Sequence, residues 1–257
     1  ITAIPPNAFA GCDSLTSVVA HPAVTEVGEY AFSNTGLESF AWPVGATTVP
    51  AYAFSYDVSY VWTGEKYERY ASRLKTITGL EAVTEVGAYA FLRTASLKTI
   101  TGLENVTKVG AYAFSESGLE SFAWPVGATT VPSDAFWHAA SLKTITGLEA
   151  VTEVGPFAFS RTGLESFAWP VGATTIPAYA FYGAASLKSI MGLEAVTEVG
   201  AWAFYHYNSS LTSSSYTYED LEDAEGAEGA DGEGDDYATD YSLPHVYLPP
   251  GCTVDSN

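Results

Sequence analysis

Basic side chains are scarce in this chain of 257 residues: ten Lys and Arg stand against thirty Asp and Glu, a formal net charge of −20. That balance excludes the usual nucleic-acid binder, whose affinity comes from Lys and Arg neutralising phosphates. It also excludes adsorption to anionic membranes. Long apolar runs are missing, and no stretch approaches the roughly 18 residues of a membrane span, so no membrane insertion is expected. Cysteine occurs only twice, too rarely for a disulfide scaffold. The chain opens on Ile1 with no signal peptide and reads as a mature or excised segment. His21, His138, His206 and His245 fall in unrelated turns without metal-ligand spacing. Neither a Gly-rich phosphate loop nor a nucleophile elbow occurs, and the repeated Glu residues lack the cleft that a glycosidase pair needs. No enzyme and no cofactor are expected.

What is abundant is self-similarity. An Ala-Phe pair recurs with Phe at 9, 32, 54, 91, 114, 136, 159, 181 and 204, mostly 22 or 23 residues apart. The single gap of 37 is one repeat plus a 14-residue insertion. Two rung types mostly alternate, one reading SLKTITGLEAVTEVGAYAF and the other LESFAWPVGATTVPAYAF. Alternation around Ile100 between Leu97 and Leu103 predicts a short strand. A second extended piece follows at V-T-x-V or A-T-T-V, and G-x-x-A-F suits a tight helical turn. One such unit cannot bury its own apolar side, so neighbours stack and their strands pair in parallel. Leu97, Ile100, Leu103, Val106, Val109, Ala113 and Phe114 are the expected core layer of one rung. The fold class is therefore a repeat solenoid of about nine rungs, with short parallel β-strands, turns and short helical turns.

The pattern L-x-x-I-x-L/W-P followed by V-x-x-[IV]-[GP]-x-x-A-F resembles the BspA-like leucine-rich repeats of bacterial and protist surface proteins. Phe9-Ala-Gly-Cys12-Asp-Ser-Leu15 keeps that family's F-x-G-C-x-S-L junction, whereas later rungs carry Thr, Ser or Ala in place of Cys12. The resemblance spans roughly residues 1–211 and a piece near the end. It implies an extracellular or cell-surface protein that is adhesive or host-interacting, and it names no ligand.

Interruptions of the repeat draw functional attention. The solenoid should cover residues 1–211 with an insertion at about 55–73, rich in Tyr and Trp with both charges, which suits a binding loop. An acidic Gly-rich segment at 212–242 reads as a flexible spacer. Calcium is an alternative there, although the carboxylate spacing does not match an EF-hand. Tyr216, Tyr218 and Tyr237 sit among its acids, a context for sulfation. Residues 243–257 return as a partial repeat, with Leu243, Val246, Leu248 and Val254 in core positions. The chain begins on the second half of a rung, with Ile1, Ile4 and Phe9. These complementary halves lack polar caps, so head-to-tail docking into filaments is expected. Cys12 and Cys252 should lie about 40 Å apart at ~4.8 Å per strand, too far to pair within one chain. They remain candidates for an intermolecular disulfide, with burial the simpler expectation for Cys12. Asn105-Val-Thr and Asn208-Ser-Ser fit the glycosylation sequon.

Stacking also turns equivalent positions into columns. Glu38, Lys75, Lys98, Glu120, Lys143, Glu165 and Lys188 should attract one another modestly. Beside them runs a hydroxyl column that includes Thr76, Thr99 and Thr144. A regular Thr array would suit ice binding, but flanking Lys and Glu and alternate Ala spoil it. The position before Ala-Phe holds Tyr30, Tyr52, Tyr89, Tyr112, Phe157, Tyr179 and Trp202, with Asn7 and Asp134 as exceptions. Such rings suit sugar or protein contact, or cover the outer core. The function expected is a non-catalytic structural or adhesive repeat protein that associates with itself or with other surface proteins or glycans. The alternative is a monomeric module that binds one ligand.

Overall fold

In the computed structural model, residues 1–57, 71–205 and 252–253 are described in full, with the backbone of Val254 and of strands Tyr60–Trp62 and Tyr67–Arg69. The chain winds as a parallel β-solenoid. On one side, Ser39–Ala41 pairs with Thr76–Thr78, Ser121–Ala123 with Thr144–Thr146, and Ser166–Ala168 with Ser189–Met191. Side chains alternate across a strand, so Phe40, Phe122 and Phe167 are buried while both neighbours of each are exposed.

A second ladder of two-residue strands runs along another side. Thr48–Val49 pairs with Glu85–Val86, which pairs in turn with Lys108–Val109. Thr175–Ile176, Glu198–Val199 and Thr253–Val254 form the equivalent group near the other end. The last of these pairings sets Thr253 opposite Glu198 and Val254 opposite Val199.

The Ala-Phe segments differ from the expected helical turns, and no helix occurs among the described residues. The residue before each Ala-Phe is instead left-handed, with φ between 56° and 59° from Asn7 to Trp202. This hand sorts the backbone N–H groups into two sets. Ala8, Ala10 and Cys12 bond locally to Pro5, Asn7 and Phe9 carbonyls, while Asn7, Phe9 and Gly11 donate to Glu29, Ala31 and Ser33 of the next rung at 2.9 Å. The same arrangement repeats at Tyr30, Phe32 and Asn34 toward Ala51, Ala53 and Ser55. A left-handed L-residue costs roughly 1–2 kcal/mol, and here the cost is offset by an inter-rung hydrogen bond that a helical turn would not make.

The core lies between the ladders. Every residue of the predicted layer from Leu97 to Phe114 is buried. Nine Phe rings, from Phe9 through Phe114 to Phe204, stack in one column with successive centroids 5.4–6.0 Å apart. Each fully buried ring contributes about 1.5–3 kcal/mol. In the Trp-Pro rungs the indole nitrogens of Trp42, Trp124 and Trp169 donate to the carbonyls of Ala46, Ala128 and Ala173, all at 2.8 Å, and close the turn. Leu cannot make that bond. The Leu rungs instead place a left-handed glycine before the Leu, such as Gly147 with φ 80°. Among the described residues the first ladder is paired in couplets. Thr99–Thr101, predicted as a strand, is correspondingly unpaired.

After Phe54, Tyr60–Trp62 pairs antiparallel with Tyr67–Arg69, Tyr60 opposite Arg69 and Trp62 opposite Tyr67. A tighter constraint lies at Gly118, where an added Cβ would collide with the Ala95 carbonyl of the preceding rung. Gly118→Ala should therefore destabilise the protein by about 2 kcal/mol, because the obstacle is backbone. Thr78→Ala on the exposed sheet face should change stability by less than about 0.5 kcal/mol. Urea denaturation of the two variants checks both values.

Candidate functional site

The aromatic stripe is the most ordered surface feature. Tyr30, Tyr52, Tyr89 and Tyr112 stack with centroids 4.4, 4.5 and 4.7 Å apart and planes within 7° of parallel. Phe157 and Tyr179 continue the motif at 4.4 Å, and Trp202 meets Tyr205 edge-on. The left-handed backbone at these positions sets the rings one above another. Their faces therefore cover each other, and ring edges and hydroxyls are what the stripe presents outward. Burial, together with the neighbouring phenols of Tyr30 and Tyr89, pushes Tyr52 up to about 12.

Asp134 interrupts the stripe. It shares the left-handed φ of 57° and is 9% exposed. Burial pushes its carboxyl up to about 6, although the neighbouring Tyr112 phenol opposes the shift. Sequence reasoning noted Asn7 and Asp134 as exceptions without seeing why they are tolerated. Asn and Asp are the non-glycine residues most at home in left-handed backbone, and that preference was the available signal.

The charged column forms as expected. Lys75 binds Glu38 at 2.8 Å, Lys98 lies 3.6 Å from Glu120, and Lys188 binds Glu165 at 2.8 Å. The lysines hold the Glu38 and Glu165 carboxyls below the usual range. Lys143 instead donates to the Gly163 carbonyl. Solvent screening leaves these exposed pairs a minor part of the stability. Arg93 and Glu116, at 2.8 Å, form a more enclosed pair that the sequence reading did not single out. Next to the charged column, the exposed sheet face carries Ser39 and Ala41, Thr76 and Thr78, Ser121 and Ala123, Thr144 and Thr146, Ser166 and Ala168. Neither of its two columns holds a charge. A cavity beside Phe32, Tyr56 and Ser72 has room for no more than a water molecule. No group of three or more metal-ligating side chains occurs among the described residues, and no helix there is long and apolar enough to cross a membrane.

The model of the BspA type leucine rich repeat region matches residues 1–61, 65–171 and 152–223, in six copies. The chain belongs to the BspA-type leucine-rich-repeat family. Among solved structures it is similar to a leucine rich cell surface protein from Faecalibacterium prausnitzii, at 25% identity and TM-score 0.48 over 80% of this chain and 61% of that one. It is also similar to a leucine-rich repeat protein from Bacteroides ovatus, at 19% identity and TM-score 0.36 over 80% of this chain and 68% of that one. The pneumococcal vaccine antigen PcpA matches at 17% identity and TM-score 0.40, over 78% and 60% of the two chains. The chain thus spans about three fifths of the length of the first of these. No curated protein matches the sequence significantly.

The remaining candidates in this BspA-type solenoid are scattered. Ile1 is 92% exposed while Ile4 is buried, and Phe9 is half-buried against Phe32. Val254 pairs with Val199, and Leu243, Val246 and Leu248 lie outside the described residues, as do Asn208, the acidic segment and its tyrosines. Cys12 is exposed rather than buried, on a turn in which its N–H donates to the Phe9 carbonyl and its own carbonyl accepts from Leu15. Cys252 is half-buried against the core, and both thiols are free. Asn105 is exposed on a turn, where its Nδ2 donates to the Glu81 carbonyl at 2.8 Å.

Asp134 makes stability depend on pH in a defined direction. Its folded value of about 6 lies above the ordinary 3.8, so the folded state binds the extra proton between those values. The associated stability is complete below about pH 4 and lost as pH rises through about 6. Asp134→Asn should abolish this component, making the variant more stable than the parent at pH 7 by on the order of 1–3 kcal/mol and leaving the two close at pH 4. Thermal unfolding at both pH values checks the difference.

Proposed function

We propose that this chain is a non-catalytic structural and adhesive module displayed outside the cell, which binds other surface proteins or glycans through its first strand ladder. The uncharged face of Ser, Thr and Ala carries the reading. Charged residues are depleted at the centres of interfaces, and short side chains on a preordered sheet lose little entropy when covered. The surface-protein character of the family supports an extracellular setting, as does the cell-surface description of the Faecalibacterium relative. The test is binding of the purified chain to arrayed glycans and extracellular proteins, repeated with a Thr78→Lys, Thr146→Lys double variant. The face is the adhesive surface if the variant folds as the parent does and its binding falls by about tenfold or more, as expected when lysines are desolvated without partners. Unchanged binding contradicts it.

End-on self-association is the second reading, favoured by the polarity of the Ala-Phe ladder. All of its bonds donate toward higher residue numbers, so the N–H groups of Trp202 and Phe204 have no bonded partner among the described residues. At the other face, the carbonyls of Pro6, Ala8 and Ala10 are in the same position, and Phe9 and Phe204 are both half-buried. Rungs of a longer polypeptide would satisfy these groups equally well; the proposal is that a second copy does. Light scattering over a concentration series should then show mass rising with concentration, and Phe9→Glu should abolish the rise. A monomer at every concentration rules this reading out.

A further inference from the structure

The two positions after each Ala-Phe break the regularity of the repeat. Ser33, Ser55, Ser115 and Ser160 recur at the first of them, but Trp137 and Tyr182 replace Ser in the rungs before and after Ser160. The second position carries Arg93, Glu116, His138 and Arg161 in succession, all left-handed. The N–H groups of His138 and Arg161 donate to the Ser160 and Tyr182 carbonyls at 2.9 and 2.7 Å. Their side chains therefore leave successive rungs one ladder step apart, about 4.8 Å. Arg93 and Glu116 satisfy one another at 2.8 Å. Arg161 has no such counterpart: among the described residues its guanidinium makes no ion pair and no hydrogen bond. By contrast, Lys75, Lys98, Lys108 and Lys188 each hold a carboxylate. The Arg161 stem crosses the next rung at Gly183, where an added Cβ would lie 2.9 Å from its Cγ. Lys143 turns toward the same place. It leaves Glu120 to Lys98 and Glu165 to Lys188, and its Nζ donates at 3.2 Å to the carbonyl of Gly163, two residues beyond Arg161. In a chain of net charge −20, two cations thus meet at the 160–163 turn with no protein carboxylate bound to either.

We propose that Arg161 and Lys143, flanked by Trp137, His138 and Tyr182, form a binding site for a short carboxylate-bearing saccharide. A guanidinium takes a carboxylate through two parallel hydrogen bonds, and the Lys143 ammonium is a second point charge at the same turn. Trp137 and Tyr182, in the rungs on either side of Arg161, are both half-buried. Tyr205 stacks on Tyr182 at 5.4 Å, and the imidazole of His138 meets the Trp137 indole edge-on at 5.5 Å. Amphipathic rings beside a cation suit a sugar ring, whose C–H face packs on the aromatic group while its carboxylate and hydroxyls meet polar side chains. The acids of the chain repel an extended polyanion, which limits the ligand to a short saccharide with few carboxylates. This site occupies the turn before Ser166–Ala168 and not the outward strand positions proposed for adhesion.

The test is an NMR titration of the full isotope-labelled chain with a galacturonate trisaccharide, run in parallel with neutral galactotriose and with a triglutamate peptide. Resonances of the Trp137 indole and of the 160–163 turn should shift with galacturonate and stay in place with the other two at the same concentration. Arg161→Gln keeps a long side chain with a polar tip and should weaken binding about tenfold. Trp137→Ala should weaken it about fivefold. Circular dichroism verifies that both variants keep the fold. The Thr78→Lys, Thr146→Lys variant should bind galacturonate as the parent does, so failure of this site and failure of the adhesive face are read separately. No shift at the 160–163 turn, an equal response to galactotriose or triglutamate, or unchanged affinity in Arg161→Gln would overturn the proposal.

Discussion

Phenyl rings stacked 5.4–6.0 Å apart from rung to rung fill the core at every step of this solenoid, and the left-handed residue before each Ala-Phe makes that stacking possible. Bringing each phenyl under the next requires a turn so tight that the preceding residue adopts φ near 57°. That residue's N–H then points along the stack and bonds to the next rung. Burial of the ring offsets the backbone cost, and the hydrogen bond fixes the register. Both strand ladders keep the ~4.8 Å spacing that their backbone hydrogen bonds impose, and a rung held at its Phe meets its neighbour in one alignment.

The surfaces follow from the same constraint. Side chains that leave the left-handed positions must lie one above another, and this is why the Tyr30 to Tyr112 rings stack face to face instead of offering their faces to a ligand. The smooth part of the exterior lies elsewhere, on the outward positions of the Ser-Phe-Ala and Thr-Ile-Thr strands. There the repeat supplies small uncharged groups and confines Lys and Glu to a bordering column, where they neutralise one another.

Much of the fold was legible in the sequence because a rung that cannot bury itself must repeat its apolar positions. Leu97, Ile100, Leu103, Val106, Val109, Ala113 and Phe114 were placed in one layer by spacing alone, and all are buried. The hand of the backbone at Tyr30 or Tyr89 was not legible, since Tyr carries no preference for positive φ. Only Asn7 and Asp134 hinted at it. Burial of Asp134 and exposure of Cys12 depend on which rung lies above or below, which spacing within a rung does not report. The candidate surfaces were legible as columns of residue types. Whether a column offers faces, edges or hydroxyls depends on ring orientation, and this emerged only from the stacked geometry.

Amide hydrogen exchange tests the central claim most directly. If the left-handed turns form an inter-rung ladder, the N–H groups of Tyr30, Tyr52, Tyr89 and Tyr112 exchange as slowly as those of the core strand residues Val86 and Val131, although they belong to surface turns. Exchange of these four at the rates of unbonded surface amides, with Val86 and Val131 protected, would contradict the account.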